Sequence, residues 1–372
     1  MKNIYRIMTF VGALQVAVMS FAGNEIKKPT VESAETCECE GAVQASCAVH
    51  PGHTGHEGHQ GHESLAPVGI MSDHTHDAGG VMLSYRYMYM SMNDNYIGSD
   101  KVSDVRVISP SGEGYLVTPT SMETNRHMLG GMWAPHEKVT LMLMAPYVLK
   151  SMDHLRRDGL RFTTKSDGFG DLRLSSLINV MDINDHRINL NLGISAPTGS
   201  ITEKGFVPGP GQTQLPYPMQ LGSGSWDLLP GLTYLGQAGP WSWGAQFLAN
   251  IRLETNNQDY RLGDEYSLTG WGAYRWSDWI STSLRVVGTS WDDIHGQDKG
   301  LVIPAAVVPT ADPGLRGGDR VDVLAGINFY MDKGWLKDHR LALEVGGPVY
   351  QDLSGPQLGN EWMLIVGWQK IW

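Results

Sequence analysis

Basic residues are scarce in this chain: 28 lysines and arginines stand against 39 aspartates and glutamates, a formal net charge of −11. So acidic a protein does not neutralise phosphates, which excludes nucleic acid as a partner. Cysteine is scarcer still. Cys37, Cys39 and Cys47 are the full set of 3, and an odd number in an oxidising compartment leaves one thiol unpaired unless a metal or partner takes it. Long apolar runs are missing after the N-terminus, where no stretch reaches the roughly 18 residues that a transmembrane helix needs. Nor is there a glycine loop set between a strand and a helix to cradle a phosphate.

What is present begins with an export signal. Lys2 and Arg6 precede an apolar run over 7–18, and the small residues Ser20, Ala22 and Gly23 follow, the order of a cleavable leader ending near residue 22. The remainder of the 372 residues has room for two ordinary domains or one large barrel. Gly at 45 and Trp at 12 are high, while hydrophobicity is spread thinly. Membrane barrels look like this because only every second strand residue faces lipid.

The alternation itself is plain from Met82 onward. Leu83, Tyr85, Tyr87 and Tyr89 fall on one face, and Met82, Ser84, Arg86, Met88, Met90 and Met92 on the other. Period two over this length marks a strand with different solvents on its faces. Arg86 decides which face is wet, since a charge costs several kcal/mol in hydrocarbon. The methionines therefore share the polar side with a charge. Ile188, Leu190, Leu192 and Ile194 alternate in the same way with Asn189, Asn191, Gly193 and Ser195.

About twelve such strands are expected, near 82–92, 122–133, 138–149, 170–181, 186–196, 226–236, 240–252, 265–276, 279–290, 320–331, 339–347 and 361–372. Short turns at 134–137, 182–185, 237–239, 277–278 and 332–338 alternate with long connections at 93–121, 151–169, 197–225, 253–264, 291–319 and 348–360. That rhythm predicts an all-β, antiparallel up-and-down outer-membrane β-barrel with periplasmic turns and extracellular loops. A secreted soluble β-protein is the competing architecture, but Greek-key crossings give it no reason to alternate so strictly. Trp133, Trp226, Trp241, Trp276, Trp279 and Trp335 gather near expected strand ends, as interfacial girdles do. The last strand places Trp362, Leu364, Val366, Trp368 and Trp372 on one parity, broken by Lys370, which can snorkel. A closing strand that ends on an aromatic residue resembles the signal read by the barrel-assembly machinery. The expected organisation is a signal peptide over 1–22, a disordered His/Cys-rich periplasmic tail over 23–64, a linker over 65–81 and the barrel over 82–372.

Several short pieces carry a family resemblance: Ala66-Pro67-Val68-Gly69-Ile70-Met71, Asp73-His74-Thr75-His76, and Leu83-Ser84-Tyr85-Arg86-Tyr87-Met88 with Met90 and Met92. Further ones are His127-Met128-Leu129-Gly130, Met152-Asp153-His154, Gly168-Phe169-Gly170-Asp171 and Pro197-Thr198-Gly199-Ser200. Together they make the chain resemble the outer-membrane transporters named after the meta-pathway of phenol degradation. The resemblance implies an outer-membrane barrel with a transport role and supplies no substrate.

Three constellations are candidates for chemistry. In the tail, His50, His53, His56, His59 and His62 recur every three residues beside Cys37, Cys39 and Cys47. Such a run offers several imidazoles to Cu or Zn, although the spacing is not that of a structural zinc site; its bland reading is a solvated spacer. His74 and His76, with Asp73 and Asp77, sit where the tail meets the barrel, either to receive an ion or to plug the mouth. On the wall, parity groups Met88, Met90, Met128, Met142 and Met144 with Met82, Met92 and Met122; thioethers are soft ligands that suit Cu(I), and Met is also a flexible filler. Arg86, Arg126, Asp171, Arg173, Arg340 and Glu344 share lumen parity and are expected to form interior salt bridges or a charge filter.

Catalysis is not expected. His127, His136, His154, His186, His295 and His339 fall mainly in turns and loops, and none has a Ser two residues on. The chain thus reads as an outer-membrane barrel for passage or handling of a small solute, most sharply a soft or borderline transition metal such as copper. A channel for small organic or aromatic compounds is the alternative, and a metal-buffering surface protein anchored by its barrel is a third. No cofactor is required, though Cu or Zn would be a bound ion. The expected partners are the lipid bilayer, a small solute or metal ion and the assembly machinery.

Overall fold

The computed structural model describes residues 65–71 and 74–372. In chain order the strands are β1 (Val81–Gly98), β2 (Asp100–Val102), β3 (Val117–His136), β4 (Val139–Arg156), β5 (Arg161–Phe169) and β6 (Leu172–Ile183). They continue with β7 (His186–Ala196), β8 (Lys204–Val207), β9 (Gly211–Gln214), β10 (Asp227–Ala238), β11 (Trp241–Arg252) and β12 (Tyr260–Arg261). The last are β13 (Glu265–Ser277), β14 (Ile280–Trp291), β15 (His295–Gly296), β16 (Gly318–Met331) and β17 (His339–Ile371). One short helix, α1 (Asp104–Ile108), is capped by Ser103, whose side chain accepts from Arg106 N.

Antiparallel neighbours run β17-β16-β14-β13-β11-β10-β7-β6-β4-β3-β1, and β1 pairs back with β17 to close the ring. The 33 residues of β17 make two passes: His339 to Leu353 pair with β16, and Leu353 to Ile371 pair with β1. The two halves lie side by side, since Gln351 Nε2 donates to Asn360 O at 2.9 Å and Ile371 N donates to Asp338 O at 3.2 Å. The wall is therefore crossed about twelve times, the even number that returns both ends to one side. Closure removes the exposed strand edges that an open sheet would leave.

Residues face the way alternation predicts. Leu143 is 54% exposed on the outside, while Met142 and Met144 on either side of it are 7% and 8% exposed. Leu192 and Ile194 are exposed, and Asn189, Asn191 and Ser195 are buried. Apolar side chains outside and polar ones inside invert a soluble core, and only lipid makes that arrangement favourable. The β6–β7 turn shows why its sequence reverses so tightly: Asn184 and Asp185 have φ of 48° and 65°, the paired left-handed geometry of two-residue hairpins. Trp133, Trp241, Trp276, Trp279, Trp335 and Trp372 are exposed at the short-turn end, whereas Trp226 stands at the long-loop end. Lys370 does not reach out to water; its Nζ donates to Lys337 O at 2.6 Å and lies 5.6 Å over the Trp372 ring.

Two expected long loops are largely strand. The 151–169 stretch is the tip of a β4–β5 hairpin with a turn at 157–160, and 348–360 lies within β17. Beyond the membrane both faces of a strand meet water, so the alternation that reveals a strand fades there.

Residues 65–71, expected as a linker, run through the barrel interior. Leu65, Ala66, Val68 and Ile70 are all 5% exposed or less. Val68 packs with Leu324, Ala342, Met363 and Ile365, Ala66 and Ile70 with Trp271, and Leu65 with Ala273 and Tyr330. These partners lie on β13, β16 and β17, and Arg86 of β1 and Gln246 of β11 bond the segment from the other sides, so it fills the lumen as a plug.

Candidate functional site

The interior is divided by height. At the long-loop end, loop 197–226 and loop 292–317 fold over the mouth. Val207, Leu215, Met219, Ile303, Val308 and Ala311 from these loops pack on Met122 of β3 and Met152 of β4. Register explains the wall side, because Met92, Met122 and Met152 are direct cross-strand partners on β1, β3 and β4. The floor of the mouth is held by Lys150, whose Nζ donates to Pro218 O at 2.7 Å and Gln220 O at 2.5 Å, and by Ser166 Oγ, which donates to Met219 O at 2.7 Å.

Above that floor lies a cavity of about 520 Å³ walled chiefly by Leu116, Val117, Phe162, Leu215, Ile303 and Val308. His154, Thr164 and Thr310 also line it. His154 Nδ1, Thr164 Oγ1 and Thr310 Oγ1 are buried without a hydrogen-bond partner, and the His154 ring stacks on Phe162 with centroids 4.7 Å apart. A largely apolar chamber with a few polar side chains in its lining is the usual chemistry of a small-molecule site. The covering loops are latched to one another: Gln214 Nε2 donates to Asp298 Oδ2 at 2.6 Å, and Asp298 N donates to Tyr217 Oη at 3.0 Å. Burial raises the Asp298 carboxyl above its ordinary range, and burial likewise raises the Tyr217 phenol.

Below the floor the lumen is polar and tight. Arg285 Nε donates to Glu344 Oε1 at 2.6 Å and its Nη2 to Oε2 at 3.1 Å, a buried bidentate pair. The plug joins it, with Gly69 N donating to Glu344 Oε2 at 2.9 Å. A side chain at residue 69 would stand within 2.6 Å of that carboxylate and closer still to the Arg285 guanidinium, so glycine lets the backbone approach without displacing the pair. Arg340 Nη2 donates to Ala66 O, Arg86 Nη2 to Ile70 O at 3.4 Å, and Gln246 Nε2 to Met71 O at 2.7 Å. The wall thus satisfies the carbonyls of Ala66, Ile70 and Met71, and Ile70 N donates to Pro67 O at 3.0 Å within the plug.

The tail candidates Cys37, Cys39, Cys47, His50, His53, His56, His59 and His62, and Asp73, lie outside the described residues. His74 and His76 come together with ring centroids 4.8 Å apart, and His76 N donates to Thr140 Oγ1 at 3.0 Å. Among the described residues no three His, Cys, Asp or Glu side chains form a metal-ligand group. The methionines separate into groups that strand parity did not distinguish. Met88 packs with the Val68 cluster, and Met90 stands opposite Met363 and Thr124. Met128, Met142 and Met144 meet Met71, Met82 and Met132 around one small void.

The expected charge set is corrected in its partners. Glu344 pairs with Arg285, while Arg340 bonds Ala66 O and, at 2.7 Å, Asn328 Oδ1. Asp171 makes no lumen bridge; it accepts from Gly199 N at 2.9 Å and from Ser223 N at 2.8 Å, anchoring loop 197–226. Arg173 lines a second cavity of about 140 Å³ with Glu265, and Arg126 is half-buried on the same wall, opposite Met88. Arg285 was not singled out, although its parity with Ser281 and Ser283 gave the signal. Arg252 with Asp227 is a further lumen pair.

A closed antiparallel barrel with apolar outer walls and a polar lumen is an outer-membrane β-barrel. The family model described as "Putative MetA-pathway of phenol degradation" matches residues 110–306, more than half of the chain, and the protein belongs to that family. The fold is similar to the outer membrane channel from Pseudomonas putida F1, with 14% identity, a TM-score of 0.54, and coverage of 81% of this chain and 98% of that one. Weaker similarities are to the transport unit of the Escherichia coli autotransporter AIDA-I (10% identity, TM-score 0.45, 82% and 95% covered) and the P. putida toluene transporter TodX (10% identity, TM-score 0.40, 78% and 90% covered). No curated relative matches the sequence.

Proposed function

We propose that this outer-membrane barrel takes up small aromatic or similarly apolar organic compounds, with the outer cavity as their first binding site. The carrying observation is the 520 Å³ chamber with its largely apolar lining, to which His154, Thr164 and Thr310 add polar side chains. The space exceeds the roughly 150 Å³ that accommodates benzene in an apolar protein cavity, and the polar atoms suit a ring bearing a hydroxyl. The family's phenol-pathway name agrees with this reading. The short-turn end is then periplasmic, together with the N-terminal tail. Onward passage requires the 65–71 plug to shift.

Passage of copper or a similar metal, captured by the tail, is the second reading, favoured by the methionine cluster beside the plug. A barrel serving only to anchor a metal-buffering tail would leave the outer cavity without a ligand.

The test is calorimetric titration of the purified protein with phenol and with toluene. Ile303→Trp pushes a ring into the chamber and should weaken binding of both. His154→Phe keeps the ring stack and should weaken phenol about fivefold, the worth of one hydrogen bond near 1 kcal/mol, while sparing toluene. Equal binding by wild type and Ile303→Trp would refute the site.

A further inference from the structure

Six of the chain's 18 methionines surround one void. Register places three of them in a row across three strands, Met82 opposite Met132 and Met132 opposite Met142. Cross-strand neighbours of this kind hold their Cβ atoms about 5 Å apart. Met144 stands opposite Gly130, whose missing side chain leaves it room, and Met128 lies opposite Arg86. Met71 completes the group from the plug.

The void measures about 20 Å³, close to a single water-sized sphere, so no organic solute fits. A water there would want two or more polar partners. The polar neighbours have bonds of their own: Ser84 Oγ donates to Gly130 O at 3.3 Å, Gln369 Oε1 accepts from Arg340 at 3.4 Å, and Arg86 donates to Ile70 O. No carboxylate, imidazole or thiol lines the space. Hard or borderline divalent ions therefore find no suitable ligand, and Arg86 opposes a double charge more than a single one. Thioether sulfur is left, and it selects soft cations.

We propose that the Met71, Met82, Met128, Met132, Met142 and Met144 cluster is a thioether site for one soft monovalent cation, Cu(I) or Ag(I). Bound there, the ion ties the plug to the β1, β3 and β4 wall through Met71. The site stands independently of the organic-solute reading, since a different cavity carries that one.

The full-length chain with Cys37→Ser, Cys39→Ser and Cys47→Ser removes competing thiolates from the tail. Silver(I), or copper(I) kept reduced by ascorbate, is then titrated in detergent, with X-ray absorption reading the ligand type and planar-bilayer recording reading conductance. One equivalent bound through sulfur, with conductance lowered by the ion, is expected. Adding Met82→Leu, Met132→Leu and Met142→Leu keeps side-chain volume and should remove the sulfur signature while phenol binding persists. Met71→Leu alone, outside the wall, should abolish the effect of silver on conductance and leaves the proposal testable if the triple variant fails to fold. Absence of sulfur coordination in the cysteine-free chain, or sulfur coordination unchanged by the leucines, would overturn it and leave the methionines as packing.

Discussion

The two ends of the lumen solve opposite problems. At the long-loop end, loops supply aliphatic side chains around a chamber of about 520 Å³; beside the plug, charged and thioether groups from the wall close on a void of about 20 Å³. The outer end is roomy because part of its wall is loop, which adapts without disturbing strand register. The inner end is tight because opposite walls converge on seven residues of backbone whose carbonyls must all be satisfied. The apolar mouth and the plug bonded to the wall are therefore structurally separable parts of one barrel.

The largest effect should come from breaking the inner end at its ion pair. Glu344→Leu leaves the buried Arg285 without its carboxylate, a loss of about 3–5 kcal/mol. Lower thermal stability and higher bilayer conductance are expected, with phenol affinity at the outer cavity unchanged. Arg285→Met combined with Glu344→Leu should recover most of the stability, since no unpaired charge then remains. A double variant as unstable as the single one would show that the pair is not the keystone of this region.

Next in size is Gly69→Val. Its side chain collides with the Arg285–Glu344 pair, and overpacking of about 1–3 kcal/mol would raise the unplugged fraction by about 5- to 150-fold. Single-channel recording should show frequent open events while melting of the barrel hardly moves. A trace unaltered from the wild type would mean that displacing the plug does not open a path.

The smallest effect belongs to the outer latch. The Asp298 carboxyl is raised by burial, so it favours the folded loops when protonated. Its stabilising contribution is complete below the unfolded value of about 3.9 and is lost as pH rises through the elevated folded value. Asp298→Asn keeps an acceptor for Gln214 and should change loop stability by less than about 1 kcal/mol. Hydrogen exchange of the 197–226 and 292–317 loops should lose its pH dependence there, and an unchanged profile would assign that dependence to another group.

Much of the wall was legible in the chain. One charge, Arg86, sufficed to set the inward face of β1, because no alternation can put it in lipid at low cost. The short turns were equally plain, since Asn184-Asp185 and its counterparts are residues that tolerate reversal. The β4–β5 tip and the outer part of β17 were hidden because water on both faces removes the pattern. At the site, parity put the methionines on one face of the wall but could not separate them by height. Met88 and Met90 belong with the Val68 and Met363 neighbourhood, while Met71 and Met132 complete the cluster that holds Met128, Met142 and Met144.

The sequence by itself determined which faces meet lipid, where the chain reverses and that the ring must close, because these depend on local alternation and on residues near one another. Tertiary structure alone decided that 65–71 enters the lumen, that Glu344 takes Arg285 as its partner, and that two loops enclose a chamber around His154. Those contacts join residues up to 275 positions apart. Their geometry depends on strand stagger around a closed barrel, which no local pattern records.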